Sequence, residues 1–269
     1  MPQPPAMSMS SLTGKRILSL IRDGDFAHPG ETDAIDLLLD GLPCDRFRRV
    51  LDLGCGLGGT AALIAERGFG QVTGVDADPE TIDYARRAYP GSSFVCASAS
   101  NVSQAIDGPF DTFVMFTAFY CFPDQAQALR ECRALAHTGS ELRLFDYTTP
   151  TWNTGTRDFC TRYARGGHWR PLVLNEIDGL LETNGWRATV RRDLSDEFRQ
   201  WYRDLLQRIE ARRDLIIQAA DERWYAYAHQ RYADLLAAIE QGTIGGGIVH
   251  AEEQRSQAGS PARSMSALL

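Results

Sequence analysis

Short apolar runs alternate along the chain with stretches of helical spacing. Val50, Leu51 and Leu53, flanked by Arg48 and Arg49 and ended by Gly54, have the composition of a buried parallel strand. Residues 60–66 follow with the spacing of a helix that stops near Gly68. Residues 71–76 predict a second strand, and Pro79 opens a helix through residue 87, proline being favoured in a first turn. A third strand with its exit loop is expected over 93–100 and a fourth from residue 110 towards 122. A helix over 125–136 and a fifth strand over 141–147 come next. A helix over 175–183 stops at Asn184-Gly185, and residues 186–194 alternate as a sixth strand. Residues 197–241 are almost wholly helical, a pair between the last two strands, with Phe198, Trp201, Tyr202, Leu205 and then Tyr227, Tyr232, Leu235 at helical spacing. Residues 243–251 form the last strand. Ahead of the first strand, residues 12–22 are amphipathic, with Ile17, Leu18, Leu20 and Ile21 expected on one side, and residues 33–39 predict another helix. The alternation is that of an α/β domain.

The first strand runs into Gly54, Gly56 and Gly58, a G-x-G-x-G turn into a helix. Glycines there permit positive φ and let a ligand lie against the backbone, although a tight βα loop uses the same residues. Asp76 ends the second strand about 20 residues on, where a nucleotide-binding sheet places an acid for ribose hydroxyls. Together they point to a nucleoside-type ligand.

The run Val50-Leu-Asp-Leu-Gly-Cys-Gly-Leu-Gly-Gly-Thr60, followed by Gly74-Val-Asp-Ala-Asp78, resembles class I S-adenosylmethionine-dependent methyltransferases. The likeness spans residue 26 to about 251 and is nearest in pattern to the phosphoethanolamine and sarcosine-type small-molecule N-methyltransferases. It differs from a dehydrogenase in its third glycine, two residues after the second, and in the acidic Asp52. The resemblance implies a Rossmann-like, seven-stranded, mostly parallel sheet with helices on both faces and a helical cap. It implies S-adenosyl-L-methionine as cofactor, held at Asp52, Gly54, Cys55, Gly56 and Gly58, with Asp76 and Ala77 at the ribose. Ser98, Ala99 and Phe116 complete the expected cofactor site; where many relatives have an Asp for the adenine, this chain has Ser98-Ala-Ser100.

With 269 residues and a net charge of −7, the chain suits one large α/β domain, or one domain with an inserted cap. No basic stripe or zinc spacing is present, so nucleic acid is not an expected partner, and no metal is expected. Of 28 basic residues only Lys15 is lysine, which fits a coding bias. Six cysteines without C-x-x-C spacing suggest reduced thiols and a cytoplasmic protein. No signal-peptide pattern or membrane-spanning run occurs, so no membrane partner is expected. The expected layout is a disordered leader over 1–10, a methyltransferase domain over 11–251 with cap segments near 11–31, 150–175 and 197–241, and a flexible tail over 252–269. The helical pair serves either as the cap's upper half or as a dimer surface, so the chain is expected as monomer or homodimer. Gly245–Gly247 do not lead from strand to helix and are not expected to form a second phosphate loop.

The remaining candidates are chemical. Phe116, Phe119, Tyr120 and Phe122 cluster where the fourth strand meets the crevice, as core or as acceptor wall. Tyr120 and Tyr147, with His28, are the catalytic candidates; His28 is either a lid residue or a satisfied loop histidine. Phe26, Phe119, Cys121, His168 and Trp169 are the candidates for substrate contact. In the phosphoethanolamine enzymes that the chain resembles, a lid tyrosine pairs with a histidine as a dyad, and the fourth strand also carries an Asp. Here Phe26, Cys121 and Thr117 stand in those places, so the dyad is absent and phosphoethanolamine is not assigned. Their Arg-Lys-Tyr phosphate grip aligns with Gly167, His168 and Trp169, with Arg165 and Arg170 nearby. The expected function is in-line methyl transfer to nitrogen or oxygen of a small molecule less polar than phosphoethanolamine. Transfer to carbon, a non-catalytic cofactor-binding protein and a dinucleotide oxidoreductase are the alternatives.

Overall fold

A computed structural model describes residues 7–164 and 167–254. Most of the expected leader and tail, and Arg165, lie outside the described residues. In chain order the elements are α1 (Leu12–Arg22), α2 (Glu31–Leu39), β1 (Arg49–Leu53), α3 (Gly59–Glu66), β2 (Gln71–Asp76) and α4 (Pro79–Ala88). β3 (Ser93–Cys96), β4 (Phe110–Phe116), α5 (Gln125–Ala134), β5 (Ala136–Thr148), α6 (Thr154–Ala164) and α7 (Ile177–Thr183) follow. β6 (Trp186–Asp193), α8 (Ser195–Ala211), α9 (Arg213–Ala219), α10 (Glu222–Glu240) and β7 (Gly245–Glu253) complete the chain. Among the described residues no helix is long and apolar enough to cross a membrane.

The strands form one seven-stranded sheet in the order β3-β2-β1-β4-β5-β7-β6. All neighbours are parallel except β7, which is antiparallel to both β5 and β6. β1 and β4, adjacent at the centre, put their carboxyl ends side by side. There a parallel sheet opens its ligand crevice. Their residues are buried on both faces, which is why the runs read as continuously apolar.

Several boundaries differ from the sequence reading. β4 ends at Phe116; the chain then turns through Thr117, at φ +44°, into a 3-10 turn over Phe119–Cys121. β5 begins at Ala136, five residues early, because Ser140 Oγ donates to the Phe110 carbonyl and splices the strand's first half onto β4. The helical pair expected between the last strands is three helices, and residues 150–175 include the helix α6. β7 continues through Glu252 and Glu253, placing two residues of the expected tail in the sheet. Residues 8–11, of which 8–10 belong to the expected leader, form a turn, with Ser11 Oγ donating to the Ser8 carbonyl.

The glycines of β7 have a packing reason. A Cβ on Gly246 would stand 2.0 Å from the Phe198 ring, so the bare strand lets α8 lie directly on the sheet. Gly179, inside α7, has nothing within 4 Å of that position. Gly246→Ala is therefore expected to destabilise the fold by roughly 1–3 kcal/mol through overpacking. Gly179→Ala is expected to stabilise it by about 0.5–1 kcal/mol through helix propensity. Urea unfolding of the two variants beside the parent checks both signs.

Candidate functional site

The glycine turn is shaped by what it must clear. Gly54, at φ +81°, has no room for a side chain: a Cβ would lie 2.4 Å from the Ala118 methyl. Its N–H and that of Cys55 donate to the Val75 carbonyl at 2.7 and 3.0 Å, so the turn is clamped to the end of β2. Gly56, at φ +55°, faces open space, the nearest atom to a Cβ there being Ala27 Cβ at 4.0 Å. Asp76 stands beside it. Oδ2 accepts from the Gly56 N–H at 3.1 Å and from Lys15 Nζ at 3.2 Å, while Oδ1 accepts from the Asp78 N–H at 3.0 Å. Behind the turn, Asp52 is buried and its Oδ2 finds no partner among the described residues. Burial and the nearby Asp76 carboxylate push Asp52 up to about 7.

The opposite wall is built from the turn after β4. Asp146, fully buried at the end of β5, accepts from the Tyr120 N–H at 3.2 Å and the Tyr147 N–H at 2.7 Å. Burial raises Asp146 to about 7, against these backbone donors and those of Phe119 and Ala118. One carboxyl thus fixes the turn whose Ala118 seats against Gly54 and whose Tyr120 faces the crevice. The Tyr120 ring lies 4.9 Å from Tyr147 and 5.2 Å from Trp169, and Tyr147 lies 5.0 Å from Trp169. The hydroxyls of Tyr147 and Tyr202 are hydrogen-bonded. Burial raises Tyr120, Tyr147 and Tyr202 well above the ordinary phenol value, so these hydroxyls keep their protons.

A single cavity of about 710 Å³ joins the two walls, within the range of small-molecule sites. Gly54, Gly56, Asp76, Ala77, Ser98, Ala99 and Phe116 line one part of it. Tyr120, Cys121, Tyr147, His168 and Trp169 line the other. Two further clefts, of about 670 and 680 Å³, flank α6 but do not reach the glycine turn.

Other candidates are placed elsewhere. His28 is a satisfied core histidine, which corrects its catalytic reading. Its Nε2 is 3.0 Å from Thr60 Oγ1, its Nδ1 is 3.1 Å from the Pro29 carbonyl, and its ring packs 4.8 Å from Phe116. Burial lowers it to about 3, so it stays neutral. Phe26 packs beside His28 at 5.7 Å, outside the cavity, and Ala27 is the loop residue that lines it. Phe119 is fully buried against Phe122 and serves as core, not as substrate contact. Asp52, Cys55 and Gly58 support the turn from behind, Gly58 being closed off by the Phe94 ring. Arg170 stacks on Trp152 at 5.5 Å and does not line the cavity.

Sequence reasoning missed Asp146, Lys15 and the residues that the helices contribute: Tyr163, Tyr202, Arg231 and Tyr232 all line the cavity. The helical stripe gave one signal. Its apolar face is rich in phenols, where a plain core uses aliphatic side chains, and buried phenols need partners.

Comparison with known proteins places this geometry. Residues 51–144 match a family described as a methyltransferase domain. Trans-aconitate 2-methyltransferase of Rhizobium etli is 36% identical over 88 residues, 32% of this chain and 34% of that protein. The chain thus spans about a third of the length of such curated relatives. Among solved structures, phosphoethanolamine N-methyltransferase 2 of Haemonchus contortus with S-adenosyl-L-methionine superposes with a TM-score of 0.79 at 17% identity, covering 93% of this chain and 61% of that one. The cyclopropane synthase MmaA2 of Mycobacterium tuberculosis gives 0.77 at 15% identity, covering 90% and 94%. The fold is that of the class I methyltransferases.

The two raised carboxyls make a signed prediction. Their native values lie above the value of about 4 in the unfolded chain, so the native state holds protons that the unfolded chain releases between about pH 4 and 7. Each carboxyl then favours the native state increasingly as pH falls through that window. Asp52→Asn is expected to stabilise the unliganded protein by on the order of 1–3 kcal/mol at pH 8, with the gain shrinking as pH falls and vanishing towards about pH 4. Urea midpoints across that range test it; a gain independent of pH would contradict the buried, costly carboxylate.

Proposed function

We propose that this chain, whose residues 51–144 are a methyltransferase domain, is an S-adenosylmethionine-dependent methyltransferase acting on a small molecule. The observation that carries the reading is the continuity of one cavity from Gly56 and Asp76 to Tyr120 and Tyr147. The residues suit the cofactor. Open space at Gly56 accepts a ligand where a Cβ would intrude, and the unpartnered Asp52 Oδ2 lies beside the turn that would hold a cationic amino group. Asp76 accepts ribose hydroxyls, and Ser98 and Ala99 border the base. When bound, S-adenosylmethionine supplies an electrophilic methyl group on a sulfonium.

The chain's own residues do the rest. Asp146 fixes the turn that presents Tyr120, so the acceptor's wall and the nucleoside's floor keep a constant separation. Rings of Tyr120, Tyr147 and Trp169 favour cationic carbon by roughly 0.5–2 kcal/mol per contact and exclude water. The hydroxyls of Tyr120 and Tyr147, held as phenols, orient an acceptor by donating to it and do not take its proton. An amine acceptor therefore reaches them already neutral. Positioning for in-line transfer supplies most of the acceleration. The acceptor is an amine or hydroxyl compound less polar than phosphoethanolamine, because the wall is aromatic and lacks that group's dyad.

Calorimetry with S-adenosylhomocysteine is expected to show saturable binding, and NAD none. Asp76→Ala is expected to raise the dissociation constant at least tenfold, about 1.4 kcal/mol. Tyr120→Ala is expected to leave that constant within about twofold while cutting turnover on a panel of amines and phenols by tenfold or more. Binding of NAD in place of S-adenosylhomocysteine, or full activity in both variants, would sink the proposal.

A further inference from the structure

Lys15 is the chain's single lysine and sits on the wrong side of its helix. The buried face of α1 carries Ile17, Leu18 and Ile21, and Lys15 lies on that face with them. An ammonium buried there requires an anion. It has Asp76 Oδ2 at 3.2 Å and the Thr81 hydroxyl at 3.1 Å; Thr81 Oγ1 in turn donates to Asp78 Oδ2 at 2.6 Å. Lys15 and Asp76 both line the cavity, so this ion pair lies in the wall of the nucleoside end.

Counting acceptor positions shows the consequence. A carboxylate offers about four lone-pair sites. Three on Asp76 are taken, by the N–H groups of Gly56 and Asp78 and by Lys15. A ribose diol brings two donors, so one present donor must give way. The two N–H groups belong to backbone clamped at the strand ends, whereas Lys15 is a flexible side chain. The anchors of α1 fit the same division. Towards its carboxyl end, Ser19 Oγ donates to Asp25 at 2.6 Å and Arg22 Nη1 donates to Glu31 at 2.8 Å. Asp25 is itself held by the Tyr89 hydroxyl at 2.8 Å. Lys15 is the polar tie from the amino-terminal half of the helix to the sheet.

We propose that Lys15 is a nucleoside-site residue: an exchangeable counter-ion that neutralises Asp76 and latches α1 over the empty crevice, and that yields its place on Asp76 to the ribose. This rests on the function proposed above and adds the route. The nucleoside is admitted when the amino-terminal half of α1 unlatches, and the same carboxylate serves latch and ligand in turn.

A single lysine makes the test specific. Reductive methylation with ¹³C-formaldehyde labels Lys15 and the α-amine alone, giving two separable NMR signals. Titration with S-adenosylhomocysteine is expected to move the Lys15 signal in step with occupancy. In stopped-flow fluorescence, Lys15→Met is expected to raise the association rate constant of S-adenosylhomocysteine roughly threefold to tenfold. A purely structural ion pair would lower the thermal midpoint and leave that rate alone. A Lys15 signal that stays fixed while binding heat is observed overturns the proposal, as does an association rate that is unchanged or slower. The NMR arm uses the parent sequence, so it stands even if the variant fails to fold. Absence of any binding heat in the parent protein removes the function reading, and this inference with it, and is recognisable before either arm is read.

Discussion

The structure depends on one close approach, that of Gly54 to Ala118 at the centre of the sheet. β1 and β4 are adjacent and parallel, so their exit turns compete for the same space. The competition resolves because one turn has no side chain where the other places a methyl group. Any larger residue at Gly54 would push the two walls of the cavity apart. Asp146 pins the second turn to the end of β5, and it does so with a fully buried carboxyl whose ionisation the surroundings resist. A buried acid retained at that cost is easier to understand as a geometric constraint than as a stabilising contact.

That constraint divides the cavity chemically. Asp76 and Lys15 lie at one end, with Asp52 just behind the wall; phenols and an indole dominate the other. A ligand with a polar, hydroxylated part and a cationic centre fits the division, its sugar near carboxylate and its charge near aromatic faces. The helices inserted between β6 and β7 do not merely shelter this arrangement. Tyr202 and Tyr232 bring their side chains into the wall, and Tyr202 completes the hydroxyl pair with Tyr147.

Much of this was legible in the residues. Local rules sufficed for the strand-turn-helix at Gly54, the acid ending β2 and the seven strands, because burial period and turn chemistry act over a few residues. That Tyr120, Tyr147 and Trp169 line the cavity could be anticipated because they sit at strand ends or in a loop, where topology alone brings side chains together. His28 and Phe119 were misread for a shared reason: exposure is a tertiary property, and the spacing of a loop histidine or a strand-end phenylalanine is the same whether it faces ligand or core. Lys15 stood out as the single lysine but read as a coding bias, because its partner Asp76 is sixty-one residues away, a pairing no local pattern contains. The extra half of β5 was hidden for the same reason, since Ser140 meets Phe110 only once the sheet exists.

A crystal structure grown with S-adenosylhomocysteine tests the central claim most directly. The account requires the ribose on the Asp76 carboxylate, the backbone of Gly56 against the ligand, and the sulfur directed towards the chamber of Tyr120 and Tyr147. Density for the nucleoside in one of the clefts beside α6, or a sulfur facing away from those rings, would contradict it.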